Sequence, residues 1–107
     1  MKNIPQISAR TLKQRIDAGE TPYILDVREP FEYQIANLGA TLIPMNEIPL
    51  RINEIPRDRP IVVHCKAGVR SQRVAEFLAE AGYSQVENLS GGILAWSSEV
   101  DPKIPTY

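Results

Sequence analysis

Two runs constrain this chain most: YILDV, Tyr23–Val27, and IVVHC, Ile61–Cys65. Both are short and apolar, and neither alternates apolar with polar residues, as expected of strands covered on both faces. Segments with helical spacing separate them. Strands separated by helices are joined by right-handed crossovers, with helices packed above and below the sheet. The expectation is an α/β fold: one domain over residues 1–107, with a mostly parallel central sheet of about five short strands and helices on both faces. A length of 107 residues suffices for one core but not for two.

The remaining elements follow in order. Ser8 is placed to cap a helix carrying Leu12 and Ile16 at i, i+4 spacing, and Gly19 ends it. REPFEYQIA turns into a short helix with Pro30 in its first turn. TLIP, Thr41–Pro44, is a strand stopped by proline. Pro49 to Ile55 forms one or two helical turns, with Leu50 and Ile52 available to the core. Arg57, Asp58 and Arg59 read as a solvated turn. The clearest helix spans Ser71–Ala81, where Val74, Phe77, Leu78 and Ala81 make one apolar stripe. QVENL, Gln85–Leu89, is the last strand. A final helical segment, ILAWSSEV, follows Gly91-Gly92, and DPKIPTY is an extended tail.

Composition narrows the function classes. A net charge of −1 argues against a nucleic-acid binder that relies on bulk charge. No apolar run approaches the ~20 residues that cross a bilayer, and MKNIPQISAR lacks the apolar segment of a secretory signal. One cysteine permits no internal disulfide, and one histidine does not complete a zinc site around it. The expectation is a cytoplasmic protein without metal or cofactor.

The lone thiol, Cys65, stands where the strongest strand gives way to a helix, and ligands of open α/β sheets bind beyond the carboxyl ends of the strands. Lys66, Ala67, Gly68, Val69 and Arg70 must curl back to start a helix near Ser71, which turns successive N–H groups toward one point. Gly68 allows a positive φ or a close approach. The helix dipole, Lys66 and Arg70 add positive potential, and such surroundings favour thiolate over thiol. The competing reading is a buried cysteine acting as a small hydrophobe; the glycine, the arginine and the helix start weigh against it. His64 is adjacent on the strand and so points to the other face. With no other histidine, a Cys–His hydrolase is disfavoured. Ser71 reads as a helix cap rather than a reactant. Arg28 has two readings: at the pocket rim as loop support or substrate contact, or ion-paired with Asp26 or Glu29. Trp96 and Phe77 read as core, Gly91 and Gly92 as backbone geometry, and Tyr107 as packed or frayed.

At these residues the chain resembles a rhodanese-like sulfurtransferase domain. CKAGVRS, Cys65–Ser71, resembles the family's active loop. ILDVREPFEY, Ile24–Tyr33, resembles its Asp-Val-Arg-Glu stretch, GATLIP, Gly39–Pro44, the segment after it, and NLSGGILAW, Asn88–Trp96, its closing stretch. Many members carry Gly-His-Ile before Gly-Ala, where this chain has IANLGA, Ile35–Ala40. That variant, with the tail VDPKIPTY, is more similar to rhodanese domains fused to adenylyltransferases that sulfurate ubiquitin-like carrier proteins.

The resemblance implies sulfur transfer in two steps. Cys65 attacks the outer sulfur of a donor, thiosulfate or a persulfide, and then passes that sulfur to a thiophilic acceptor. It implies Cys65 as nucleophile, backbone donors from Lys66 to Arg70 around the anionic sulfur, and Lys66 as a setter of donor preference. Arg70 braces the loop or steers an anionic donor. Partners implied are a small donor or a persulfide-bearing protein, and a ubiquitin-like sulfur-carrier protein or an adenylyltransferase, with neither nucleic acid nor membrane. Two rivals stand beside it. One is a cysteine-dependent phosphatase or arsenate reductase: cysteine phosphatases place five residues between Cys and Arg; here there are four, Lys66 to Val69, which removes up to ~3.5 Å of contour and suits a terminal sulfur better than a phosphate. The other rival is a non-catalytic module of the same fold that docks protein partners.

Overall fold

A computed structural model describes residues 3–107 of the chain. Its elements are β1 (Gln6–Ile7), α1 (Ala9–Asp17), β2 (Tyr23–Asp26), α2 (Pro30–Ile35), β3 (Thr41–Leu42), α3 (Ile48–Arg51), β4 (Ile61–His64), α4 (Val69–Glu80), β5 (Val86–Leu89) and α5 (Gly92–Glu99). Single 3-10 turns, Met45–Glu47 and Ile52–Glu54, flank α3. The strands form one sheet in the order β1-β5-β4-β2-β3, and every neighbouring pair is parallel.

The central strand β4 is buried along its whole length, as its unbroken apolar run predicts. Alternate residues feed opposite faces. Ile61, Val63 and Cys65 join a core of Leu25, Val27, Ile43, Ile48, Val74 and Leu78 beneath α4. Val62 joins Ile7, Leu12 and Leu89 on the other face, where Trp96 of α5 packs. Ser8 caps α1 as expected, its hydroxyl accepting the Thr11 N–H at 3.0 Å. Among the described residues, no helix is long and apolar enough to cross a membrane.

Two local expectations, at Leu50 and Phe77, are corrected, and a strand and a side-chain contact are added. Strand β1, only two residues long, carries no apolar run of its own and exists through pairing of Gln6 and Ile7 with Asn88 and Leu89 of β5. Leu50 is 90% exposed, because Ile48 and Ile55 take the inward places around α3. Phe77 is 42% exposed; Val74, Ala75 and Leu78 form the buried face of α4 instead. The turn at Arg57, Asp58 and Arg59 is exposed as expected, and Arg57 adds contacts there: its guanidinium lies 4.2 Å from the centre of the Tyr83 ring and donates to the Ala81 carbonyl at 3.1 Å.

Candidate active site

Cys65 follows the carboxyl end of β4 and is only 1% exposed. Its Sγ accepts the Gly68 N–H at 3.1 Å and the Ser71 N–H at 3.4 Å, and lies 3.3 Å from the Ser71 hydroxyl. This curl turns on Gly68, which adopts φ +107° as the residue that leads into α4. The helix therefore starts at Val69, two residues earlier than its sequence pattern predicts. Ser71 is consequently not a cap. It lies inside the first turn, fully buried, with both its amide and its hydroxyl beside the sulfur.

A second helix start holds the loop from behind. The Ile93 N–H donates to the Cys65 carbonyl at 2.9 Å and the Leu94 N–H to the Lys66 carbonyl at 3.2 Å. These are free donors of the first turn of α5, and the carbonyls supply the partners they would otherwise lack. The contact needs Gly92 at φ +59°, since a β-carbon there would collide with the carbonyl oxygens of Cys65 and Lys66.

Burial pushes the Cys65 thiol up. The Ser71 hydroxyl when turned toward sulfur, and the N–H groups of Ser71, Gly68 and Ala67, outweigh that and leave its pKa below the ordinary thiol value. His64 is fully buried and directed elsewhere. Its Nδ1 is 3.4 Å from the Cys65 carbonyl and its Nε2 3.6 Å from Asp26 Oδ2, without a hydrogen-bond partner among the described residues. Burial, with Arg28 nearby, lowers its pKa against the pull of Asp26.

The remaining charged groups form one network. Arg70 meets the Glu32 carboxylate with both nitrogens, Nη1–Oε1 at 2.7 Å and Nη2–Oε2 at 2.9 Å. Glu32 is 5% exposed, and Arg70, outweighing burial and assisted by the Glu29 N–H and Tyr107, holds its carboxyl at about 2. Arg28 is fully buried rather than at the rim. It pairs with Asp26 at 2.7 Å, donates to the Glu32 and Ala36 carbonyls, and meets the Tyr107 hydroxyl at 2.9 Å. Tyr107 in turn donates to Glu32 Oε2 at 2.7 Å, and Lys66 Nζ stands 4.6 Å from the centre of its ring. Lys66 is thus the half-exposed cation at the mouth of the loop, while Arg70 is engaged as a brace.

The structure therefore brings Cys65 through Ser71 together and sets Arg28 behind them. Sequence reasoning missed Glu32, Asn88 and Tyr107. Glu32 carried a local signal: Glu29 and Glu32 have capping-box spacing at the start of α2, and both bonds of the box form. Asn88 is a buried polar residue whose only signal was its place in an apolar strand. Tyr107, 75 residues from Glu32, carried none. A surface depression larger than the cleft beside the loop does not mark the site. It lies at the opposite ends of the strands, lined by Ile4, Arg15, Tyr83 and Glu87 among others, whereas a smaller cleft beside the loop is lined by Gln6, Gly68, Val69, Gln72 and Asn88. The candidate site is marked by the chemistry of its loop at the carboxyl ends of the strands, not by cavity size.

The sequence profile of the Rhodanese-like domain family matches residues 8–99. The chain belongs to the rhodanese-like family. This rhodanese-like domain is 38% identical over 95 residues to a protein named Sulfurtransferase from Allochromatium vinosum, covering 88% of this chain and 89% of that one. It is 36% identical over 104 residues to the Probable adenylyltransferase/sulfurtransferase MoeZ of Mycobacterium tuberculosis. That match covers 94% of this chain and 26% of the relative, so the chain spans about a quarter of that protein's length. Among solved structures, the rhodanese-like domain protein of Staphylococcus aureus superimposes with a TM-score of 0.84 at 30% identity, covering 97% of this chain and 99% of that one.

Proposed function

We propose that residues 1–107 act as one sulfurtransferase domain that carries a sulfane sulfur on Cys65. The observation that carries the reading is the set of backbone donors on the Cys65 sulfur, with its pKa lowered despite burial. In the first step the Cys65 thiolate attacks the outer sulfur of the donor. With thiosulfate, a new S–S bond forms, the S–S bond of the donor breaks, and sulfite leaves with the bonding electron pair. The negative charge then rests on the terminal sulfur of the Cys65 persulfide. The N–H groups from Lys66 to Arg70 stabilise that charge as donors do in an oxyanion hole; losing one such donor costs about 3–4 kcal/mol in other enzymes. Lys66 draws anionic donors to the mouth by charge, and Arg28 supports the loop through the Glu32 and Tyr107 network. In the second step a nucleophilic acceptor takes the terminal sulfur and Cys65 leaves as thiolate.

The acceptor class for this step is a thiophile, such as cyanide in the test tube or a protein thiolate in the cell; the protein partners are a ubiquitin-like sulfur-carrier protein or an adenylyltransferase. The relative whose name joins adenylyltransferase and sulfurtransferase supports that reading. The setting is the cytoplasm, where a lone thiol stays reduced.

Mass spectrometry after incubation with thiosulfate or a persulfide donor tests the proposal. The expected result is a gain of one sulfur atom, absent in Cys65→Ala and discharged by cyanide as thiocyanate. No adduct with any donor would leave the non-catalytic docking module as the better reading.

A further inference from the structure

The hydroxyl of Ser71 has one proton, and three groups bear on where it goes. Ser71 Oγ lies 3.3 Å from Cys65 Sγ and donates to Asn88 Oδ1 at 2.6 Å. The orientation of the Asn88 amide is set by its other end. Its Nδ2 donates to the Gly68 carbonyl at 3.2 Å and to Gln6 Oε1 at 2.9 Å. A carbonyl can only accept, so turning the amide over would set oxygen against oxygen. Gln6 is fixed in the same sense, because its Nε2 donates to the Ile4 carbonyl at 3.1 Å and to Gln72 Oε1 at 2.7 Å. Two backbone carbonyls thus orient two amides in series, and Asn88 can only accept from Ser71.

A consequence follows for the sulfur. With its proton on Asn88, Ser71 presents a lone pair to Cys65. A thiol satisfies that lone pair by donating S–H to it, giving an unbroken chain from Cys65 through Ser71 to Asn88. A thiolate cannot. For the Ser71 hydroxyl to face the thiolate it must turn, leaving Asn88 Oδ1 without that donor in a residue only 3% exposed. Once Cys65 carries a second sulfur, the charge lies on the outer atom and the hydroxyl can return to Asn88.

We propose that Asn88 is a positioning residue that holds the Ser71 proton away from Cys65, so that the sulfur ionises against that bond and gives up its charge to an incoming sulfur more readily. The inference rests on the reading of Cys65 as the nucleophile. The charged and titratable groups around the sulfur are Lys66 and Arg70 from its own loop and helix start, Glu32 of α2 and Tyr107 behind Arg70, and His64 on the far side of β4. From β1 and β5 the groups in line with Ser71 are the neutral amides of Gln6 and Asn88; Glu87 of β5 is held by Arg15 at 2.9 Å.

The test is the rate of alkylation by iodoacetamide against pH, measured on the full chain. Asn88→Ala frees the hydroxyl for the thiolate, and the midpoint of the profile falls by about one pH unit, a tenfold change in the ionisation constant. In a Ser71→Ala background the same substitution leaves the midpoint unchanged. A purely structural role for Asn88 would loosen Gly68 and weaken the N–H donors, moving the midpoint up. An unchanged or raised midpoint in Asn88→Ala, or an equal fall in the Ser71→Ala background, overturns the proposal. In the wild-type protein, which does not depend on a variant folding, the side-chain amide signals of Asn88 titrate in NMR with the midpoint of the thiol. Signals that stay still through that midpoint also overturn it. Alkylation needs no sulfur transfer, so this test and the sulfur-adduct measurement fail separately.

Discussion

Arg70 and Glu32 form a two-pronged ion pair, 2.7 and 2.9 Å, that ties the first turn of α4 to α2. The pair joins residues 38 positions apart and fixes the loop whose amides surround Cys65.

The Glu32 carboxyl is held near 2 against an ordinary 4.5. A depressed carboxyl stabilises the fold fully above its unfolded pKa and loses that contribution as pH falls through the folded one. The window is therefore between about pH 4.5 and 2, and the contribution is at most about 3 kcal/mol, reduced by solvent at the half-exposed Arg70. Glu32→Gln is expected to be destabilised by about 2 kcal/mol near neutrality and to show a flatter acid limb in urea unfolding. An acid limb as steep as the wild type would show that Glu32 does not titrate there.

His64 acts at higher pH. Buried and neutral, it has a folded pKa below its ordinary 6.5. Stability is complete above about 6.5 and declines as pH falls below it, with a slope approaching about 1.4 kcal/mol per pH unit for one proton. Urea midpoints taken from pH 7.5 to 5 should drop in the wild type and lose that slope in His64→Gln. Equal slopes would place the proton uptake elsewhere.

Two glycines at the site separate strain from collision. A β-carbon at Gly68 meets neighbours only at ordinary distances, the nearest being the Gly91 nitrogen at 3.5 Å, so Gly68→Ala carries mainly the left-handed backbone penalty of about 1–2 kcal/mol. At Gly92 the same atom meets two backbone carbonyls that α5 itself holds in place. Gly92→Ala should cost about 2–5 kcal/mol and slow alkylation of Cys65 as the loop shifts. Equal stability of the two variants would refute the packing described for α5.

Tyr107→Phe keeps the ring beneath Lys66 and removes only the hydroxyl shared by Arg28 and Glu32. The expected loss is about 1–3 kcal/mol, since both partners are charged. Chemical denaturation measures it. No loss would show that water replaces the hydroxyl without cost.

The parallel α/β layout and the place of Cys65 were legible because they rest on local pattern. β4 announces itself by an unbroken apolar run, and a thiol at its carboxyl end must lie where a parallel sheet binds ligands. Gly68 was legible for the same reason: a sharp reversal before a helix calls for a residue tolerant of positive φ. Leu50 and Phe77 were misplaced because a hydrophobic residue near the right spacing competes with better-placed neighbours, and only packing picks the winner.

Residue order alone thus settled the class of fold, the place of the lone thiol and the turn that presents it, because strand burial, helix periodicity and backbone freedom act over a few residues. Assembly of the chain settled the rest: β1 exists only beside β5, Ser71 became a buried neighbour of sulfur rather than a cap, and Arg70 was drawn to Glu32. Those outcomes depend on burial and on partners from distant positions. The energy of a hydrogen bond or an ion pair is set by what surrounds it once water has been excluded, and that is absent from any short stretch of sequence.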